Sequence, residues 1–519
     1  MKRKLLSIMA SVCLVGTAIL SPIGTQEVQA SENIVQYEYD YNNDEGYVLY
    51  GDWKYKELSD GTLSVKYCGN SSVVEIPSEI NGKRVTEIGY QAFFKGDYTE
   101  NNITSIKIPE GVTKIDDLAF CFCTELVTIE IPYGVTSIGD KAFYYCKKIK
   151  NIKLPSSVCV IKDTAFLDCR ELESIVIPKG VTSIENGTFT GCWNLKEVQI
   201  PTSVTTIKDY AFEKCKSLKG ITIPNSVTSI GVSAFEYCES LQDIKLPIKL
   251  KVIREGTFYK CKNLRNISIP SEVNSIRAGA FCGCRSLENI KIPTSITKIG
   301  EGEYRDGEIN VEWGLDEECS YNGNTFAGCT KLKSITIPKG VKTIYEGTFN
   351  NCTSLTKVTI PNTVTTIKAG AFYGCKNLKS IKLPSNLTKI GEGEFYIFQP
   401  NEGEKTQKTK GNTFAGCTGL QSIAIPNKVT TIETATFLNC KNMQKVTIGT
   451  GLKKIGTSSF QNCSKLKTII IKSEKLTSVG KNALKGIKAD ATITVPAKKQ
   501  NTYRKLFVGK GQGNKVKIK

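Results

Sequence analysis

One pattern of apolar and polar residues repeats every 23 residues along most of the chain. It is clearest at 172–193, LESIVIPKGVTSIENGTFTGCW. Leu172, Ile175 and Ile177 follow the period-two pattern of a β-strand with one buried face. Pro178 ends that strand, because proline cannot donate to a ladder in a sheet interior. The unit therefore opens with a short strand that buries every second residue.

The second half of the unit predicts another strand and two further inward positions. Residues 181–184 form a β-branched run after a turn, and Phe189 and Cys192 follow with the spacing of core residues. One coil cannot bury all these side chains alone, so coils must stack and pair their backbones with one another. The prolines recur every 23 residues at 109, 132, 155, 178, 201, 224, 247, 270 and 293, then at 338, 361 and 384. The pattern predicts a β-rich solenoid of about seventeen coils with parallel sheets.

Phenylalanine and cysteine each keep one place in the unit. Fifteen of the 20 Phe residues share one position, from Phe93 to Phe460, which predicts a continuous aromatic spine. Fourteen of the 20 Cys residues share another, and Ile487 replaces Cys there in the last coil. A position that accepts Ile favours a buried thiol ladder, because free Cys behaves as a small apolar residue. Disulfides and a zinc or cluster site remain the alternatives, although a continuous column lacks the four-ligand grouping of a metal site. The cysteines of the predicted ladder are Cys123, Cys146, Cys169, Cys192, Cys215, Cys238, Cys261, Cys284, Cys329, Cys352, Cys375, Cys417, Cys440 and Cys463.

Two coils are interrupted at the same place, near 301–322 and 392–410. Both inserts open with Gly-Glu-Gly-Glu-aromatic and close with Gly-Asn-Thr-Phe-Ala-Gly-Cys, which indicates a duplication. They lie three coils apart, so we expect a separation of roughly 15 Å on one edge at about 4.8 Å per coil. Insertions in a solenoid map to one face, which is often the binding face, and exposed aromatics suit sugar or protein contacts. A functionally neutral pair of loops is the alternative. The candidate ligand-binding aromatics of the inserts are Tyr304, Trp313, Tyr321, Phe395, Tyr396 and Phe398.

A second candidate surface is the outward face of the first strand of each coil. The residue between the two inward Ile residues points to solvent, and it is mostly Thr, Ser or Gln where it is not Lys. This predicts a shallow, polar, basic sheet that would dock an acidic partner, or that Lys merely keeps soluble. The lysines at this position are Lys107, Lys153, Lys245, Lys291 and Lys382.

The ends of the chain do not fit the repeat. Residues 1–30 have a basic start, an apolar run and a small-x-small cleavage site, which predicts a secretory signal peptide. Residues 31–70 are rich in Tyr and carry Asp-Gly between two strand-like runs, so we expect a β hairpin that caps the solenoid at 71–496. Residues 497–519 hold eight basic and no acidic residues, and three glycines there predict a flexible basic tail. That tail either attaches the protein to an anionic wall polymer or caps the last coil.

The composition excludes several chemistries. The chain has no His among its 519 residues, which rules out Ser-His-Asp triads, Cys-His dyads and His-ligated zinc. The formal charge of +19 alone does not indicate specific nucleic-acid binding, because no recognition motif accompanies it. No apolar run after the signal peptide is long enough to span a membrane. A carboxylate-dependent glycosidase using Glu301, Glu303, Asp306 or Glu308 is the least favoured function.

The unit NLKSIKLPSNLTKIG, with AFYGC before it, resembles the BspA-like subfamily of bacterial leucine-rich repeat proteins over about residues 71–496. The resemblance implies a curved right-handed superhelix, a secreted or cell-surface location, and binding of host matrix, host-cell or bacterial-surface ligands. It implies no enzymatic activity in the repeats. We expect no cofactor and no bound metal. The expected partner is thus an extracellular protein or glycan. The chain has no LPxTG wall anchor, which is why a wall-associated scaffold held by the basic tail is the alternative function.

Overall fold

A computed structural model describes residues 44–95, 101–305, 320–397 and 408–519. These residues form a parallel-strand β-solenoid of about 18 turns with almost no helix, as the 23-residue unit predicts. The predicted signal peptide at residues 1–30 lies outside the described residues. No helix within the described ranges is long and apolar enough to cross a membrane.

The first strand of each coil lies in a ladder that we call the first-strand face. Its central residue is buried and its two neighbours face outward, which confirms the period-two reading of the unit. In the register, Ile221, Ile244 and Ile267 lie opposite one another on successive coils. The strands of this series are Val73–Glu75, Ser105–Lys107, Thr128–Glu130, Ser174–Val176, Glu197–Gln199, Gly220–Thr222, Asp243–Lys245, Asn266–Ser268, Ser334–Thr336, Lys357–Thr359, Ser422–Ile425, Lys445–Ile448, Thr468–Ile471, Thr492–Thr494 and Lys517–Ile518.

The second strand of each coil forms a separate parallel ladder, the second-strand face. Ile184, Ile207 and Ile230 pair in register there and are all buried. The strands of this series are Lys83–Ile88, Lys114–Ile115, Ser137–Ile138, Val160–Ile161, Ser183–Ile184, Thr206–Ile207, Ser229–Ile230, Val252–Ile253, Ser275–Arg277, Lys298–Glu301, Thr343–Ile344, Thr366–Lys368, Lys389–Glu392, Thr431–Ile432, Lys454–Ile455 and Ser478–Val479.

Each coil closes through a stretch that carries the inward Phe and Cys. Two residues of this stretch adopt left-handed backbone, such as Tyr210 and Lys214, both with φ of 58°. In the preceding coil the same places hold Gly187 and Gly191, which adopt this conformation without a Cβ clash. The stretch still pairs with its neighbours, because the Phe189 N–H donates to the Ala211 carbonyl at 2.9 Å. All three sides of the coil therefore satisfy their backbone groups along the axis.

The predicted aromatic spine is continuous. Consecutive rings from Phe93 to Phe460 stack with centroids 5.1–5.8 Å apart, and each ring is at most 1% exposed. Tyr67 continues the stack at 5.6 Å from Phe93, and Trp53 lies 5.1 Å beyond Tyr67. The N-terminal hairpin thus completes the core as well as covering it.

The N-terminal segment is the β hairpin that the Asp60-Gly61 turn predicts. Strands Val48–Tyr50, Trp53–Glu57 and Leu63–Tyr67 pair antiparallel, and Leu63–Tyr67 then pairs in parallel with Lys83–Ile88 of the first coil. A short strand, Glu79–Ile80, pairs antiparallel with Lys83–Ile88. The hairpin therefore occupies the open end of the second-strand face.

The C-terminal segment is folded, so the expectation of a flexible tail is wrong. A 3-10 turn at Ala497–Lys499 leads into a helix at Gln500–Phe507, and strand Lys517–Ile518 pairs with Thr492–Thr494. Tyr503 and Phe507, one helical turn apart, are buried against the last coil. The Tyr503 hydroxyl donates to the Ser473 carbonyl and accepts from the Leu476 N–H, both at 3.0 Å. These contacts hold the segment as a C-terminal cap despite its charge.

Candidate functional site

The two inserts form β hairpins with the same local geometry. In the first, Glu303–Arg305 pairs antiparallel with Ser320–Asn322, and in the second, Glu394–Tyr396 pairs with Lys408–Lys410. Both leave the solenoid through a register shift in the second-strand ladder, at Ile276/Arg277 and at Ile367/Lys368. The glycines of the two Gly-Glu-Gly-Glu openings adopt matching φ values of 84° and 104° in the first insert and 87° and 100° in the second. The inserts are therefore structural as well as sequence duplicates.

The hairpins lie side by side on one edge of the solenoid. The returning strand of the first, Ser320–Asn322, lies beside the outgoing strand of the second, Glu394–Tyr396. This is closer than the separation of roughly 15 Å expected from three coils at about 4.8 Å each. The two inserts thus build one continuous edge, which we call the hairpin edge: strands Glu303–Arg305, Ser320–Asn322, Glu394–Tyr396 and Lys408–Lys410.

Among the predicted aromatics of the inserts, Phe395 is the one whose side chain the structure describes. Phe395 is only 3% exposed, so the expectation that it is an exposed ligand contact is wrong. Its ring lies against Gly370, where a Cβ would come within 2.3 Å of it, and its centroid is 5.7 Å from that of Tyr373. Phe395 therefore anchors the second hairpin to the solenoid.

The other predicted aromatics are only partly described. Tyr304 and Tyr321 lie directly opposite each other in the first hairpin, and Tyr396 pairs with Lys408 in the second. Trp313 and Phe398 lie outside the described residues. The backbone thus places three of the predicted aromatics on the hairpin edge itself.

Charged residues at the base of the hairpins are paired. Glu394 contacts Lys408 at 3.1 Å and Lys410 at 2.9 Å, and hydrogen bonds from Lys410 and then Lys408 lower the pKa of its carboxyl group. Glu301 contacts Arg277 at 3.1 Å and Lys298 at 2.8 Å. Both glutamates therefore serve to fix the hairpins.

The carboxylates of the glycosidase alternative are not brought together as a pair in the described residues. Glu301 is occupied by Arg277 and Lys298, whereas Glu303 is exposed one residue beyond Gly302. Asp306 and Glu308 lie outside the described residues. Hydrolysis by two carboxylates needs one acid and one base held across a scissile bond. The described part of the first hairpin offers no such arrangement.

The five lysines of the first-strand face are all exposed in one column, as predicted, but they are spread along it. Lys107 lies between Glu75 and Glu130 in the register and contacts Glu75 at 2.5 Å. Lys245 and Lys291 are separated by Ser268. Two coils correspond to about 10 Å, which is about one Debye length at 0.1 M salt. Lys153, Lys245, Lys291 and Lys382 thus act as isolated charges on a polar sheet.

An open groove on the second-strand face was not anticipated from the sequence. It encloses about 610 Å³ and is lined by Asp117, Asp140, Asp163 and the exposed Cys159 among others. The aspartates recur every 23 residues, and this spacing was the signal in the sequence that could have placed them together. Asp117 and Asp163 accept from the backbone N–H groups of Asp140 and Asn186 in the next coil, at 2.8 and 3.2 Å. Asp140 accepts from the Thr164 hydroxyl of the next coil at 2.8 Å. These carboxylates are therefore structural bridges between coils.

The predicted thiol ladder is present and has a hydrogen-bonding role. All 14 ladder cysteines are buried. Each Sγ from Cys146 to Cys463 lies 3.1–3.3 Å from the carbonyl oxygen of the spine Phe in the preceding coil. That Phe stands 26 residues earlier in the sequence, or 45 or 48 residues earlier where an insert intervenes. Burial raises the pKa of the Cys146 and Cys261 thiols well above its ordinary value. Among the described residues, no three His, Cys, Asp or Glu side chains are grouped to hold a metal ion.

Comparison with known proteins agrees with this architecture. The chain matches the BspA type leucine rich repeat region over residues 86–219, 182–310, 320–403 and 401–512. The chain belongs to this family of leucine-rich repeat proteins. No curated protein matches it.

Several solved structures resemble the chain. A leucine-rich repeat protein from Bacteroides ovatus is 26% identical, with a TM-score of 0.60, over 91% of this chain and 99% of that one. A leucine rich cell surface protein from Faecalibacterium prausnitzii is 27% identical, with a TM-score of 0.43, over 82% of this chain and 94% of that one. The repeat family and the first of these structures agree with the observed fold, and neither identifies a ligand.

Proposed function

We propose that this chain is a non-catalytic, exported binding protein that presents its repeat surface to a protein or glycan ligand at the bacterial cell surface. Its BspA-type repeats and the surface location of the Faecalibacterium protein support this proposal. The sequence of residues 1–30, read as a signal peptide, supports export.

The hairpin edge is the ligand site in this proposal. The observation that carries it is the placement of two duplicated hairpins side by side on an otherwise uniform solenoid. The two hairpins keep matching glycine conformations and register shifts, and the second is anchored by the buried Phe395, which favours a retained role over a neutral insertion. Tyr304, Tyr321 and Tyr396 are the residues through which we expect the edge to contact its ligand. The isolated lysines Lys107, Lys153, Lys245, Lys291 and Lys382 form a second, weaker candidate surface.

The repeat allows a clean test. Deleting 301–322 joins Gly300 to Gly323, and deleting 392–410 joins Gly391 to Gly411, which restores the regular distance from the second strand to Phe326 and Phe414. The double deletion therefore keeps every coil and the Phe spine. Binding to a matrix-protein and glycan array is compared for the intact chain and the double deletion. We expect a ligand that only the intact chain retains, whereas equal retention by both would remove the hairpin edge from the proposal.

A further inference from the structure

The positive charge of this protein is concentrated at one end. Residues 441–519 contain 19 Lys and Arg residues and two acidic residues, Glu474 and Asp490. The first 440 residues contain 50 basic and 48 acidic residues, so they are nearly neutral. The excess therefore extends well beyond the 497–519 segment, through the last coils of the solenoid.

Several lysines in the body of the solenoid form ion pairs with a glutamate of the neighbouring coil. Lys148 contacts Glu125 at 2.5 Å, and Lys196 contacts Glu173 at 2.9 Å, each pair one coil apart. Residues 441–519 are described throughout, and the ion pair formed within them is that of Lys488 with Asp490 at 3.4 Å. The cross-coil compensation that operates in the body stops where the positive charge rises.

These cations are held at fixed positions. The Val495 N–H donates to the Lys519 carbonyl at 2.8 Å, and the Leu484 N–H donates to the Lys510 carbonyl at 3.0 Å. The buried Tyr503 and Phe507 dock the helix between these two points. Uncompensated like charges repel and lower the stability of a compact state, so a rigid basic end is expected to have an anionic partner.

Several cations lie on the first-strand face of this end. Lys445 and Lys517 occupy one column of the register, through Thr468 and Thr492. Lys519 directly follows the strand Lys517–Ile518, and its N–H donates to the Ile493 carbonyl at 2.9 Å. Lys467 lies one coil away from Lys445, because its N–H donates to the carbonyl of Gln444 at 3.1 Å. All four lysine side chains are exposed.

We propose that the last coils and the C-terminal cap, residues 441–519, bind a linear phosphate-bearing polymer of the cell envelope. The site is separate from the hairpin edge, so the two proposals stand or fall independently. Lysines spread over successive coils suit a flexible chain of negative charges, because such a chain can bend to reach each of them and ammonium groups bind phosphate as point charges.

The surroundings favour this ligand over nucleic acid or membrane. The three aromatic residues of 441–519, Phe460, Tyr503 and Phe507, are buried, so none can stack on a base. The apolar face of the helix is turned into the solenoid, which leaves Val508 as the exposed large apolar residue of this end. An interfacial helix would instead present a broad apolar face to the lipid.

The test uses the full chain, with long-chain polyphosphate as the probe. The test variant changes Lys445, Lys467, Lys517 and Lys519 to Gln. The control variant changes four exposed lysines of the body, Lys219, Lys342, Lys357 and Lys379, to Gln, which alters net charge equally. The equilibrium affinity is measured by titration across about 50 to 200 mM salt, a range over which polyanion binding weakens steeply.

We expect polyphosphate to bind the unchanged chain with a log–log salt slope of magnitude about 3 or more. The test variant should lose at least about tenfold in affinity and most of that slope, while the control variant binds as the unchanged chain does. Equal losses in both variants would overturn the assignment of the site to 441–519. Equal or tighter binding of single-stranded DNA of matched charge, or of anionic vesicles, would overturn the class of ligand.

Discussion

The Sγ of Cys261 lies 3.1 Å from the carbonyl oxygen of Phe235 in the preceding coil, and the same contact recurs along the ladder. The ring of Phe235 stacks at 5.4 Å on Phe212 and at 5.8 Å on Phe258. One residue of each coil therefore contributes its ring to the spine and its carbonyl to the thiol ladder. This coupling explains why Phe and Cys keep a fixed spacing in the unit.

Replacing Cys261 by Ala should lower the free energy of unfolding by about 1–2 kcal/mol, because a buried sulfur and a weak hydrogen bond are lost together. The change is measured by chemical denaturation, monitored by circular dichroism. Cys159→Ala is the control, since Cys159 is exposed and should change stability by less than about 0.5 kcal/mol. Equal effects of the two substitutions would contradict a structural role for the ladder.

Alkaline pH should destabilise the protein steeply. Burial raises the pKa of ladder thiols such as Cys146, Cys192 and Cys352 in the folded state above the ordinary value of 9.0, whereas unfolding returns the pKa of these thiols to that value. The stabilisation is complete below pH 9 and is lost as pH rises toward the raised folded pKa, by up to about 1.4 kcal/mol per pH unit for each thiol. Denaturation midpoints between pH 8 and 10.5 measure it. Stability that is flat above pH 9, or that rises, would show that the ladder is not a column of buried neutral thiols.

Replacing Phe235 by Ala should cost about 3–5 kcal/mol, the usual range for a fully buried aromatic side chain. Each coil contacts only its neighbours, so hydrogen exchange should accelerate most in the coils on either side of the substitution. Tyr133→Ala is the matched control, because Tyr133 is 73% exposed. A uniform acceleration along the whole chain would argue against nearest-neighbour stacking as the source of stability.

Replacing Gly370 by Ala should release the second hairpin. The added Cβ would come within 2.3 Å of the Phe395 ring, which must then leave its place. Gly416→Ala is the control for backbone strain alone, since its φ of 73° is similar to the 63° of Gly370 but its Cβ would meet nothing closer than 3.6 Å. We expect trypsin to cut near Lys408 or Lys410 faster in the first variant than in the second. Equal cleavage would mean that Phe395 does not anchor the hairpin.

The repeat made most of the fold predictable. Phe235 and Cys261 could be assigned to the core because a 23-residue period repeats the same inference many times. The burial of Phe395 could not be predicted from the sequence, because it depends on the absence of a side chain at Gly370 in the neighbouring coil. A loop aromatic looks the same in sequence whether it faces solvent or such a gap.

The fold of the C-terminal cap and the contact within the hairpin edge could not be predicted from the sequence either. Tyr503 and Phe507 stand four residues apart, which is the spacing of one helix face, but the surrounding charge and glycines concealed that signal. The duplicated inserts were recognisable, yet their contact depends on how far each hairpin leans along the axis. The repeat pattern of the sequence does not determine that lean.

The most direct test of the central claim is hydrogen exchange of the full chain with and without a ligand recovered from the array. The hairpin edge predicts slower exchange at Ser320–Asn322 and Glu394–Tyr396 on binding, with unchanged exchange in the first-strand face at Asp243–Lys245. Slower exchange at Asp243–Lys245, with no change in either hairpin, would contradict the claim.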